Sequence, residues 1–146
     1  MVSVLLDTNV LSELLHAGGP SPIDPAINRV PQDQLFVSVI SIGETQKGIS
    51  LLPAGRRRGN IEAWFQEIKI SYVDQILPID IETTLVWGEL SAQMRRAGQN
   101  IAAADLLIAA TALQHGLTVM THNVRDFAPT GALVIDPWAS SESREL

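Results

Sequence analysis

The feature that most constrains this chain is a set of short segments that are apolar on consecutive positions. Val2–Leu6, Leu35–Val39, Gln75–Pro78 and Leu117–Met120 read as strands, with Leu133–Ile135 as a fifth. A strand with one face in water alternates apolar and polar residues. Most of these do not, which predicts burial on both faces, as in a parallel sheet. Between them lie helical patterns. Val10–His16 follows Thr8, a candidate N-cap, and Ile42–Ser50 follows Ser41, another. Asn60–Ser71 is apolar at 61, 64, 65 and 68; Ile81–Arg96 sets Ile81, Leu85, Val86, Leu90 and Met94 on one side and ends near Gly98. Ala102–His115 is rich in Ala and Leu, with Gly116 as its stop. Strands alternating with helices predict a three-layer α/β domain, its mainly parallel sheet of four to five strands flanked by helices. Residues 18–25, GGPSPIDP, read as a connection, and the chain as one domain over 1–138 with a polar tail over 139–146. Trp64, Phe65 and Trp87 fall on helices and read as core, with a dimer interface as the second reading for the tryptophans.

Composition narrows the function classes. Of 146 residues, 46% are hydrophobic and 18% charged, enough for a real core and too few charges for disorder. No apolar run reaches the roughly 18 residues that cross a bilayer, and no basic region precedes an apolar stretch at the N-terminus. A cytoplasmic protein with no membrane partner is expected. The absence of cysteine excludes disulfides and thiolate metal sites. A net charge of −6 argues against tight nonspecific binding of nucleic acid and is compatible with a cation site or a basic protein partner. The run Arg56-Arg57-Arg58 reads as a solvated loop or helix start, or else as a local phosphate-contacting patch.

In open α/β sheets the crevice lies beyond the carboxyl ends of the strands, and polar residues map there. Asp7 follows the first strand. Glu44 is expected in the first turn of the helix after the second strand. Asp105 opens the Ala-rich helix, and Asn123 and Asp126 follow the fourth strand in MTHNVRDF. Each has a structural explanation: Asp7 as a turn cap, Glu44 in a capping box with Ser41, Asp105 as a complement to a helix dipole, Asp126 as a solvated charge. Their coincidence at one sheet edge carries more, because Glu44 and Asp105 sit in apolar segments, ISIGETQKGI and IAAADLLIAA. Carboxylates gathered in a partly apolar crevice repel, and must take up protons or bind a cation. Oxygen donors alone select Mg²⁺ or Mn²⁺, and such a site suits phosphodiester hydrolysis.

LLDTNVLSEL, SVISIGETQKGI and IAAADLLIAATALQHGLTVMTHNVRDF together resemble the successive motifs of PIN-domain ribonucleases, and within them the VapC-like toxins of bacterial toxin–antitoxin pairs, including the FitB-type branch. The resemblance runs from Met1 to about Trp138. It implies a PIN fold, Mg²⁺ or Mn²⁺ dependence, RNA cleavage to 5′-phosphate and 3′-hydroxyl ends, a homodimer, a cognate VapB-like antitoxin, and DNA contact only indirectly through that antitoxin. Asp7, Glu44 and Asp105 match the family's three acids, with Asp7 and Asp105 as expected direct metal ligands. The fourth acidic position aligns with Asn123, a departure that lowers the site's charge; Asp126 is the alternative. Thr8 and Thr121 are positioned to orient neighbouring carboxylates.

The mechanism this implies uses Glu44 to position the attacking water or receive its proton. Two rival readings remain. DTN resembles the acid loop of aspartyl-nucleophile phosphatases, although Asn9 stands where that loop has an acid. A non-catalytic PIN-like module that binds RNA or protein is kept open by Asn123. His16, His115 and His122 read as structural or solvated, with a phosphate contact as the second reading for His122, which lies beside the acids. Arg125 and the Arg95-Arg96 pair read as solvated, with RNA backbone contact as the second reading.

Overall fold

Strands form where the apolar runs predict them, each trimmed by its partners. In the computed structural model, which describes residues 2–139, β1 is Val4–Leu6, β2 Leu35–Ser38, β3 Ile76–Leu77, β4 Thr118–Met120 and β5 Val134–Ile135. All pairings are parallel, in the order β3-β2-β1-β4-β5. Val2 falls outside β1 because pairing begins at Val4, opposite Leu35 and Thr118. The helices are α1 Thr8–His16, α2 Asp24–Asn28, α3 Val39–Ser50, α4 Arg56–Ser71, α5 Ile81–Arg96, α6 Ala103–His115 and α7 Val124–Phe127. None is long and apolar enough to cross a membrane. Of the polar tail, only Ala139 lies within the described residues.

Side chains along β1 point to opposite faces, and each face has its own core. Val4 and Leu6 pack with Leu11 and Leu15 of α1, Ile49 of α3, and Ile61 and Phe65 of α4. Leu5 packs with Leu90 of α5, Ile108 and Ala109 of α6, and Phe127 of α7. These are the three expected layers. With all three residues at most 1% exposed, β1 is the centre of the molecule; burying each such Leu or Val stabilises it by roughly 1.5–3 kcal/mol.

Several local expectations are corrected. Helix α1 begins at Thr8, and its N-cap is Asp7, whose Oδ1 accepts the Thr8 N–H at 2.8 Å. Helix α3 begins at Val39, capped by Ser38, which accepts the Ile40 N–H at 3.0 Å. The chain turns from β2 into α3 without a loop, so Ser41 is inside the helix and Glu44 is in its second turn. No Ser41–Glu44 capping box can form. Helix α4 starts at Arg56, so the arginine run opens a helix, where Arg58 pairs with Glu62 at 2.7 Å. On α5, Ile81 and Leu85 are 78% and 61% exposed, while Thr83 is fully buried and closes a capping box with Asp80. Trp64 is exposed rather than core, Phe65 is core, and Trp87 packs at the edge of the second core. The GGPSPIDP connection contains the start of α2.

The winding positions the site. From β1 the chain adds β2 and β3 on one side, then crosses to add β4 and β5 on the other. The order therefore switches between β1 and β4, and a crevice opens beyond their carboxyl ends.

Candidate active site

Asp7 is the residue β1 delivers to that crevice. It is 3% exposed, and its carboxylate is held on every side. Oδ1 takes the Thr8 N–H; Oδ2 accepts the Thr121 hydroxyl at 2.7 Å and the Asn9 side-chain N–H at 3.1 Å. Thr121, the residue after β4, is itself fixed, because its Oγ1 accepts the Asn123 N–H at 2.9 Å. Glu44 arrives from α3. The Thr8 hydroxyl donates to Glu44 Oε1 at 2.6 Å, and the Thr8 Oγ1 also lies 3.0 Å from Ser41 Oγ. Asp105 enters from the first turn of α6. Asp7, Thr8, Asn9, Ser12, Glu44, Asp105 and Asn123 line one cleft of about 310 Å³.

Electrostatics show how crowded this is. Burial pushes the Asp7 carboxyl above the ordinary aspartate value, against the hydrogen bonds from Thr121 and Thr8 that lower it, and the charges of Glu44 and Asp126 push it further. Asp105 is pushed up to about 6, first by burial and then by the charges of Asp7, Asp126 and Glu44. A carboxyl that resists ionisation among other carboxylates is a group waiting for a proton or a cation. Among the described residues no three acidic or histidine side chains close into a cage around one point. Magnesium does not need such a cage. It keeps several waters and takes one or two carboxylates, so the oxygen-only donors Asp7, Asp105, Glu44 and Asn123 fit Mg²⁺ or Mn²⁺ held partly through water.

Of the sequence-predicted residues, Asp7, Thr8, Glu44, Asp105 and Asn123 line one cleft. Asn123 lines the cleft, whereas Asp126 sits within α7 and reaches Asp7 and Asp105 through its charge. Thr8 and Thr121 hold Glu44 and Asp7 respectively. Sequence reasoning missed Asn9, whose amide also touches Thr121 Oγ1 at 3.2 Å and whose Oδ1 accepts the His122 N–H at 3.2 Å. It missed Ser12 and Ser41 as well. Starting α1 at Thr8 would have found Ser12, one turn further along the same face. A separate cavity of about 400 Å³, lined by His16, Arg56, Arg57 and Trp64, lies at the far end of α1 from the carboxylates.

Comparison with known proteins bears on this geometry. The family model described as the PIN domain matches residues 4–132. The VapC ribonuclease Y4jK of Sinorhizobium fredii is 33% identical over 136 residues, covering 92% of this chain and 97% of that protein. Toxin FitB of Neisseria gonorrhoeae is 32% identical over 136 residues, covering 92% and 98%. The crystal structure of FitAcB from Neisseria gonorrhoeae superimposes with a TM-score of 0.86 at 30% identity, covering 94% of this chain and 99% of that one.

Proposed function

The chain belongs to the PIN-domain family, in its VapC and FitB branch, and from that premise we propose that it is a divalent-metal-dependent endoribonuclease and the toxin of a toxin–antitoxin pair. The observation that carries the proposal is the meeting of Asp7, Glu44 and Asp105 in one cleft at the switch point, with Asp105 resisting ionisation there.

Asp7 and Asp105 would hold the ion, Mg²⁺ or Mn²⁺, and Asn123 would add a neutral carbonyl oxygen. A bound ion would supply Lewis-acid chemistry there, polarising the scissile phosphate and lowering the pKa of a nearby water. Glu44, held in orientation by Thr8, positions that water and receives its proton. The Asp7 carboxyl is fixed in orientation through Thr121, Asn9 and the Thr8 N–H. Asn9, which stands where the acid loop of an aspartyl-nucleophile phosphatase carries an acid, instead donates to Asp7 Oδ2 at 3.1 Å, which disfavours the phosphatase reading. Replacing Asp7 with Asn tests the reading directly. Cleavage of RNA in Mg²⁺ should fall to background, and cleavage at the wild-type rate would remove the site from consideration.

The net charge of −6 extends the proposal to a partner. An antitoxin with an Arg-bearing tail would set a guanidinium among the carboxylates, where it satisfies the same charge demand as the metal. Titration calorimetry with the product of the adjacent small reading frame should show binding that Mn²⁺ weakens. Absence of both heat and inhibition would refute the pairing.

A further inference from the structure

Resting on the ribonuclease reading, we propose that His122 and Trp138 form a shelf on which a nucleobase of the RNA stacks beside the bond to be cut. The shelf is where β4 and β5 leave the sheet. Met120 pairs with Ile135, and the Thr121 N–H donates to Ile135 O at 2.9 Å, so His122 and Asp136 emerge side by side.

His122 is held at three points. Its N–H donates to Asn9 Oδ1 at 3.2 Å, and that same Asn9 side chain touches the Asp7 carboxylate. Its ring Nδ1 lies 3.4 Å from Asp136 Oδ2. The ring meets Trp138 edge to face, with centroids 5.1 Å apart and planes at 66°. Asp136 is fixed in turn, because its Oδ1 accepts the Trp138 N–H at 2.9 Å, and Trp138 is packed against the first core. The His122 side chain nevertheless remains 64% exposed. Ordering an exposed side chain costs rotamer freedom that burial here does not return. It is repaid when a ligand arrives at a surface already arranged for it.

The chemistry of the shelf selects the ligand. Imidazole and indole rings stack with unpaired RNA bases, and every base offers a face. Location selects it too: the next residue, Asn123, lines the carboxylate cleft. Charge supplies the need. With 10 basic residues against 16 acidic ones, the chain gains little from phosphate contacts, whereas stacking is indifferent to net charge.

The test uses an RNA oligonucleotide spanning a bond that the wild-type chain cuts in total cellular RNA, together with versions carrying an abasic nucleotide on either side of that bond. His122→Ala should raise KM about tenfold with kcat within about twofold, and His122→Phe should restore KM. One abasic position should abolish the difference between wild type and His122→Ala. If wild type cuts but His122→Ala leaves KM unchanged, the shelf is refuted and the nuclease reading stands. If the KM difference survives on both abasic RNAs, His122 touches the phosphate backbone and stacking is refuted. If RNA cleavage is unaffected while inhibition by the antitoxin weakens, the shelf belongs to a protein partner. Wild-type protein that leaves RNA intact in both Mg²⁺ and Mn²⁺ overturns both readings.

Discussion

Asp105 shows how one residue trades stability for function. Its carboxyl titrates at about 6 in the folded chain against an ordinary value of 3.8. Between those values the folded state holds a proton that the unfolded chain has released, so stability falls as pH rises from about 4 to 6, and the full penalty persists above 6. Asp105 is only half-buried, and solvent screening discounts that penalty to about 1 kcal/mol. In urea denaturation of the metal-free protein, Asp105→Asn should therefore be more stable than wild type by about 1 kcal/mol at pH 7.5 and indistinguishable at pH 4. RNA cleavage by the variant should drop by more than about 100-fold, beyond the ~10- to 100-fold cost of losing an outer contact. Thr121 gives the opposite pattern. Fully buried, it donates to Asp7 and accepts from the Asn123 N–H. Thr121→Val leaves both partners short and should cost about 1–3 kcal/mol in the same experiment. Thr121→Ser keeps the hydroxyl and should retain most of the stability.

At the level of elements, the five strands and most of the helices were legible because their apolar patterns report burial directly. Their ends were not, because ends depend on what the chain meets. In SVISIGE the pattern alone points to Ser41 as the cap. Ser38 is the cap because β2 stops there against β1 and β3 and the chain reverses at once, a tertiary fact. Ser38→Ala should accordingly cost ~1 kcal/mol in chemical denaturation, the usual loss for a missing cap. The exposure of Ile81 and Leu85 was hidden for a similar reason. Spacing puts them on one stripe with Leu90 and Met94, but the buried start of α5 is Thr83, whose hydroxyl lies 2.6 Å from Gln114 Oε1 on α6. Asp7 and Asp105 were legible because one follows a strand and the other opens a helix at one sheet edge; Glu44 was legible as an acid in an apolar segment, although it lies a turn further into its helix than expected. Asn9 was not, since its role depends on β4 lying beside β1, and strand order cannot be read from the chain. Gly116 was legible as a helix stop, and its φ of 67° lies in the left-handed region. With no neighbour crowding an added methyl, Gly116→Ala should lose only the backbone preference, ~1 kcal/mol by denaturation.

For the whole molecule, the gathering of acids makes the folded state a better cation ligand than the unfolded chain, and mass action turns that difference into stability. An ion that binds only the folded state at about 100 times its Kd stabilises by about 2.7 kcal/mol. The gain must depend on pH, because at pH 5 the Asp105 carboxyl holds a proton that the ion has to displace. Mn²⁺ should therefore raise the melting temperature of the wild-type chain clearly at pH 7.5 and much less at pH 5. Asp105→Asn should show a small rise that varies much less between the two values, because the Asp105 proton no longer competes. Scanning calorimetry of both proteins at both pH values, with and without Mn²⁺, provides the comparison. Equal wild-type gains at pH 5 and 7.5 would mean that the ion binds away from Asp105, and the cleft at the switch point would then need another explanation for its excess of negative charge.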